Sequence, residues 1–251
     1  MKPLNPSFIK NRLQYILSSV RWSRFRRISV EDQLSKMRHD WDHRARENAR
    51  HYVATGKQAW TDAEFFASGK LTVEEHILND MVNICQGREP GTMKVLEIGC
   101  GAGRVTRSLA GLFGAVHAVD ISGEMVRVAR QAVSPFSNAF VYQNNGVDLS
   151  VIPVHRFDFA FSNLVFQHIP SRYIIQNYIR EVHRLLRPGA LFKFQVRGNV
   201  VNPPNRADDT WVGAVFSDEQ IVRIALQYGF EARYRHGAGE QDFWIWYFKQ
   251  G

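Results

Sequence analysis

The chain has 251 residues, 45 % of them apolar, enough to bury a full core in one domain with an appendage. Its composition argues against collagen-like, low-complexity and disordered classes, and two cysteines without CxxC spacing, Cys85 and Cys100, suggest neither a disulfide framework nor a zinc site. The net charge of +8 suggests nucleic acid until it is located: residues 1–50 hold twelve Lys and Arg against five Asp and Glu, the remainder twenty against nineteen, so no broad phosphate-tracking surface is expected on the body.

The basic arm comes first. Residues 1–30 contain no acid, and FIKNRLQYILSSVRW sets Ile9, Leu13, Ile16, Leu17 and Val20 on one helical face ahead of Arg21, Arg24, Arg26 and Arg27. No run of about 18 apolar residues occurs, so a bilayer span is not expected, and the apolar core and small-residue cleavage site of a secretory signal are missing. Three readings stay open: a helix packed on its own domain or on a second subunit of a homodimer, peripheral contact with an anionic membrane, or an Arg-rich transit peptide. A cytoplasmic, reducing location is the default, with the membrane contact as an addition.

ISVEDQLSKMRHDWDHRARENARHYVATG then reads as a charged helix stopped near Gly56, and LTVEEHILNDMVNICQG as a second, with Thr72 as N-cap, Glu75 at the capping-box position and Gly87 at its end. From residue 93 strand and helix alternate. MKVLEIG, AVHAVDI, FVYQNN, FDFAFSNL and ALFKFQV are strand-like; GRVTRSLAGLFG, SGEMVRVARQAV and PSRYIIQNYIREVHRLLRPG have helical spacing. Such alternation predicts a parallel sheet with helices on both faces. The tail adds a helix opened by Ser217 with Gln220 as its capping partner, then EARYRHG and FWIWYFKQ as a hairpin across GAGEQ.

In VLEIGCGAGRVT the first strand turns into a helix through Gly99, Gly101 and Gly103, where the backbone must turn tightly and admit a ligand. A dinucleotide fingerprint GxGxxG would want glycine at 104, which is Arg104. The spacing, with Glu97 two residues upstream, resembles motif I of the class I S-adenosylmethionine (SAM)-dependent methyltransferases, of the small-molecule type, and further matches follow in order over residues 93–198. The resemblance implies an α/β, Rossmann-like, doubly wound and mostly parallel seven-stranded sheet, with a C-terminal antiparallel hairpin and an N-terminal helical extension. It divides the chain into a basic helical arm and cap, 1–55, and a methyltransferase domain, 56–251.

The resemblance also implies site residues. Asp120 at the end of the second strand takes the ribose hydroxyls, an acid that would serve NAD equally well. Ile121 and Met125 pack on the adenine unless they are ordinary core, and Asn145, Gly146 and Val147 match the adenine loop, although Val147 stands where the family often has an acid. Asn163 and Leu164 line the sulfonium end. Glu97 either meets the cofactor's amino group or orients the glycine loop; Cys100 and Arg104 complete that loop, Cys100 as an inert small residue. Asp158 opens the fourth strand, and LLRPG is a structural turn. His168 is a candidate general base, with a satisfied core histidine as the alternative. Trp41, Arg44, Tyr52, Gln167 and Trp211 are candidates for the acceptor side or a lid, together with Asp42, Trp60, Phe65, Trp244, Trp246 and the 198–216 insertion. NPPN at 202–205 imitates a motif of amino-methylating nucleic-acid enzymes but follows the wrong strand.

SAM, leaving as S-adenosylhomocysteine (SAH), is thus the expected cofactor, without a metal. A small-molecule, lipid-linked or saccharide acceptor is the leading expectation. RNA methylation guided by the arm and a non-catalytic SAM-binding scaffold are the alternatives.

Overall fold

The structure, a computed structural model, describes residues 29–153, 156–198 and 210–251. The amphipathic segment 8–22 and NPPN at 202–205 lie outside these residues. Among the described residues no helix is long and apolar enough to cross a membrane.

Helix α1, Val30–Val53, starts at Ser29, whose hydroxyl accepts from the Asp32 N–H, and carries Glu31 and Asp32 in its first turn, where acids favour the helix dipole. It is kinked at Asn48 (φ −163°, ψ 81°), whose Oδ1 takes the His51 N–H at 3.1 Å and restarts the helix. The second helix, α2, is Asp62–His76, eleven residues earlier than the Thr72 cap predicts. Its true cap is Thr61 in a full capping box with Glu64, a T-x-x-E pattern equally visible in the sequence. Thr72 instead sits inside α2, its hydroxyl bonded to the Ser68 carbonyl at 3.2 Å. The predicted stop is kept by a short α3, Met81–Cys85, which ends in left-handed Gln86.

Strands β1 (Lys94–Ile98), β2 (Ala115–Asp120), β3 (Ala139–Gln143), β4 (Phe157–Ser162), β5 (Leu186–Val196), β6 (Phe230–His236) and β7 (Phe243–Lys249) form one seven-stranded sheet in the order β3-β2-β1-β4-β5-β7-β6. The first five pair in parallel; β7 runs antiparallel to both β5 and β6, the predicted hairpin. Between them lie α4 (Arg104–Ala110), α5 (Gly123–Val133), α6 (Arg172–Leu185) and α7 (Asp218–Gln227). The central strands β1 and β4 are buried along both faces because both faces are covered. Leu96, Ile98, Val119, Phe192 and Phe194 pack with α6 and α7 on one side, while Val95, Val116, Phe159, Phe161 and Leu191 meet α2, α3 and α4 on the other. The fold is Rossmann-like.

In this order strand succession reverses between β1 and β4, so the carboxyl ends of β1, β2, β4 and β5 open on a common crevice. Helix α1 lies beside that crevice. Its Ala45 and Ala49 pack over Phe65, Ala102 and Met125, and Asp42 bonds the start of α5.

Candidate functional site

The crevice holds a cavity of about 390 Å³ lined from these strand ends and from α1. One end is the glycine turn after β1. Gly99 (φ +76°) and Gly101 (φ +51°) are left-handed, and a Cβ on Gly101 would come within 2.7 Å of Val53 Cγ2 on α1. The turn is fastened from the next strand: Gly101 N–H donates to Asp120 Oδ2 at 2.9 Å, and Ser122 N–H to Asp120 Oδ1 at 2.9 Å. Burial lifts the Asp120 carboxyl to about 6 despite these bonds.

Glu97 is 4 % exposed, and its Oε2 has no hydrogen-bond partner among the described residues. Burial drives this carboxyl to about 7, with Thr106 and Arg104 pulling the other way and Asp120 adding to the rise. Arg104 is committed elsewhere: its Nη1 bonds the Ser68 carbonyl and the Thr72 hydroxyl, each at 2.9 Å, which ties α4 to α2. Burial pushes the Cys100 thiol well up, which makes it a poor nucleophile.

The other end is closed by contacts between α1 and residues 210–211. Arg44 lies 4.7 Å from the Trp41 ring centre and 5.1 Å from that of Trp211, and its Nη1 bonds the Thr210 hydroxyl at 3.0 Å. Thr210 in turn donates to Asp40 Oδ2 at 2.6 Å. His168, on a 3₁₀ turn after β4, directs Nδ1 at the Trp211 carbonyl, 2.6 Å away. A carbonyl only accepts, so Nδ1 carries the proton of the neutral ring, and Nε2 faces the Gln167 amide at 3.1 Å. Gln195 braces this wall: its Oε1 takes the Leu164 N–H at 3.1 Å, and its amide donates to Gln167 Oε1 and to Asp242.

Residues 96–194 match the methyltransferase domain family. The chain is 32 % identical over 133 residues to ubiquinone biosynthesis O-methyltransferase of Xanthomonas oryzae pv. oryzae, covering 52 % of this chain and 51 % of that protein. It is 33 % identical over 105 residues to malonyl-[acyl-carrier protein] O-methyltransferase of Enterobacter lignolyticus, 40 % and 38 % of the two chains. In the first comparison the chain spans about half the length of the curated relative. Among solved structures it resembles magnesium protoporphyrin IX methyltransferase of Synechocystis PCC 6803 with bound SAM, at TM-score 0.63 and 16 % identity, over 87 % of this chain and 98 % of that one. That domain match and this fold agree. Residues 96–194 are thus similar to methyltransferase domains in sequence, and the sheet around them has their fold.

The sequence-derived residues divide into two groups. Glu97, Gly99, Cys100, Gly101, Arg104, Asp120, Ile121, Met125, Asn163, Leu164, Gln167 and His168 line the cavity, as do Trp41, Tyr52 and Trp211. Gly103, Asn145, Gly146, Val147 and Arg44 do not. Gly103 packs under α5, where a Cβ would come 3.2 Å from Ala129 Cα. Asn145 closes its own turn by accepting the Val147 and Asp148 N–H groups at 2.7 and 2.9 Å, while Gly146 faces Leu34 and Ile121. The residue of that loop on the cavity is Asn144, 3 % exposed, its amide donating to Tyr178 Oη at 2.7 Å and its Oδ1 without a partner among the described residues. Asp158, at the far end of β4, binds Arg187 at 2.8 Å and the Lys94 N–H at 2.9 Å, a brace for the sheet.

Of the expected acceptor-side aromatics, Trp60 and Phe65 pack beneath α1, and Trp244 and Trp246 lie on the sheet beside Lys193. Sequence reading missed Met37, Asn144, Tyr178, Arg197, Gln241 and Asp242 on the cavity wall. One usable signal existed for Arg197: it directly follows β5, and strand carboxyl ends face the crevice.

Proposed function

We propose that the chain transfers a methyl group from SAM to a small-molecule acceptor, with residues 1–55 as arm and cap. The observation that carries this reading is the pair of acids on the cavity wall, buried Glu97 and half-buried Asp120, beside a left-handed glycine turn. The residues fit the cofactor. Glu97 Oε2 and Asn144 Oδ1 are buried acceptors lacking partners among the described residues, suited to an ammonium and to an amino group, while Asp120 suits two ribose hydroxyls. Ile121 and Met125 supply the apolar surface for a base, and Asn163 and Leu164 border the reacting end.

When bound, SAM supplies an already activated methyl group. The chain's part is to hold the acceptor in line and exclude water, which Trp41, Tyr52 and Trp211 support as an aromatic wall closed by α1. For an acceptor that must lose a proton, His168 is the base we assign: its Nδ1–H is fixed on the Trp211 carbonyl, and Nε2, which faces the Gln167 amide, is the proton-accepting atom.

Calorimetry with SAH tests the reading. Binding in the micromolar range is expected, and Asp120→Asn should weaken it about 30–100-fold, the loss of charge-assisted bonds to two hydroxyls. A folded wild type that binds neither SAM nor SAH would refute it.

A further inference from the structure

Two arginines line the cavity, and they are not equivalent. Arg104 is anchored on Ser68 and Thr72. Arg197 has a buried Nε without a partner, and its guanidinium forms no hydrogen bond or ion pair with any described residue. A buried cationic donor left unpaired is unfavourable unless something supplies the acceptor, and Arg is suited to planar anions through its rigid fork.

Its backbone is held firmly. The Arg197 carbonyl takes the Phe216 N–H at 2.8 Å, the residue bridges to Val215, and the next N–H, of Gly198, binds the Glu240 carbonyl at 2.9 Å. The guanidinium therefore emerges from a fixed point. That point is past the end of β5, two strands from β1 in the sheet order, or about 10 Å from the Glu97 strand end at ordinary strand spacing. Acids Glu97 and Asp120 line the cavity at the ends of β1 and β2, and Arg197, without a partner among the described residues, lines it past β5, with Trp211, Leu164 and Ile169 as further apolar lining. Asp242 also lines the cavity, so a dianion would meet repulsion from a nearby carboxylate that a monoanion meets less.

We propose that Arg197 binds a carboxylate of the methyl acceptor, so that the substrates of this domain are small organic monoacids with an apolar body. The inference rests on the methyl-transfer reading given above and deepens it.

The test uses the full chain saturated with SAH, titrated by NMR with benzoate, phenylacetate and hexanoate, and with their neutral amides. At least one acid should bind, and its amide about 10-fold or more weaker. Arg197→Gln should weaken that acid about 10-fold or more while SAH affinity stays within about 2-fold; Arg197→Lys should fall between. SAH affinity also reports that both variants are folded. The proposal is overturned if none of the acids binds the SAH-loaded wild type, if acid and amide bind alike, or if Arg197→Gln changes nothing. Should SAH itself fail to bind the wild type, the cofactor reading falls instead, and the same titrations on the ligand-free chain decide the role of Arg197 by the same criteria.

Discussion

Asp42 Oδ1, halfway along α1, lies 2.6 Å from Ser122 Oγ, the N-cap of α5. The same oxygen accepts the Glu124 N–H at 3.2 Å, and Ser122 Oγ takes the Met125 N–H at 3.1 Å. Since the Ser122 N–H binds Asp120, one serine connects α1 to the end of β2. Asp42→Ala should lower the unfolding free energy by about 1–2 kcal/mol and weaken SAH binding severalfold. Urea denaturation and calorimetry check both, and unchanged stability would mean that α1 docks through its apolar contacts alone.

Gly101 couples the same helix to the glycine turn. Alanine there meets a left-handed backbone, φ +51°, and Val53 Cγ2 at 2.7 Å. Gly101→Ala is expected to destabilise by about 2–3 kcal/mol, combining backbone strain with the clash. Adding Val53→Ala should restore part of the loss, because it removes the clash and leaves the strain. Denaturation of both single mutants and the double mutant measures that coupling, and strict additivity would show that α1 does not press on the turn.

Stability should vary with pH through Glu97. Its carboxyl sits near 7 in the folded chain against an ordinary 4.5, a folded value raised by burial. Its contribution to stability is therefore fully present below about pH 4.5 and is lost as pH rises through 7, by about 3 kcal/mol. Asp120, raised to about 6, acts in the same direction one unit lower. The ligand-free wild type should lose Tm relative to Glu97→Gln between about pH 5 and 8. A parallel pair of Tm profiles would contradict this.

The same group makes cofactor binding proton-linked. A cationic ammonium beside Glu97 lowers its proton affinity, so SAH binding near about pH 6.5 should release a proton. Binding heats measured in buffers of different ionisation enthalpy report it, and Glu97→Gln should reduce the release towards that of Asp120 alone.

Away from the cavity, Lys193 is buried on β5 with its Nζ 2.8 Å from Asp80 Oδ2 and 2.6 Å from the His76 carbonyl, above the Trp246 ring. Asp80→Ala leaves this ammonium unpaired and is expected to destabilise by about 3–5 kcal/mol. Lys193→Met in the Asp80→Ala background should recover much of that, as the burial penalty on the charge disappears. Thermal unfolding at neutral pH decides it, and a double mutant no better than Asp80→Ala would show that Asp80 acts through Trp246 instead.

The chain itself determined the alternating sheet, the terminal hairpin, the helix capped by Ser217 and the glycine turn with its acids, because these are encoded locally by side-chain period, capping residues and short motifs. Local signals also misled. Thr72 and Glu75 have the same capping spacing as Thr61 and Glu64, and only packing of α2 against α4, fastened by Arg104, selects the earlier start. In YQNNGV adjacent asparagines look alike as candidates. The fold decides that Asn144 turns inward to Tyr178 while Asn145 closes its own turn. Residues 1–28 of the basic arm, read from charge and helical spacing, lie outside the described residues.

What only the tertiary structure decided is the far wall of the cavity. Trp41, Arg44, His168 and Trp211 stand up to 170 positions apart and meet because α1 folds back across the strand ends. Arg197 looks in sequence like any polar residue after a strand. Its significance comes from lacking a described partner inside a crevice whose other arginine is already bound. Partnering and burial depend on residues remote in the chain, so no local pattern of residues can encode them.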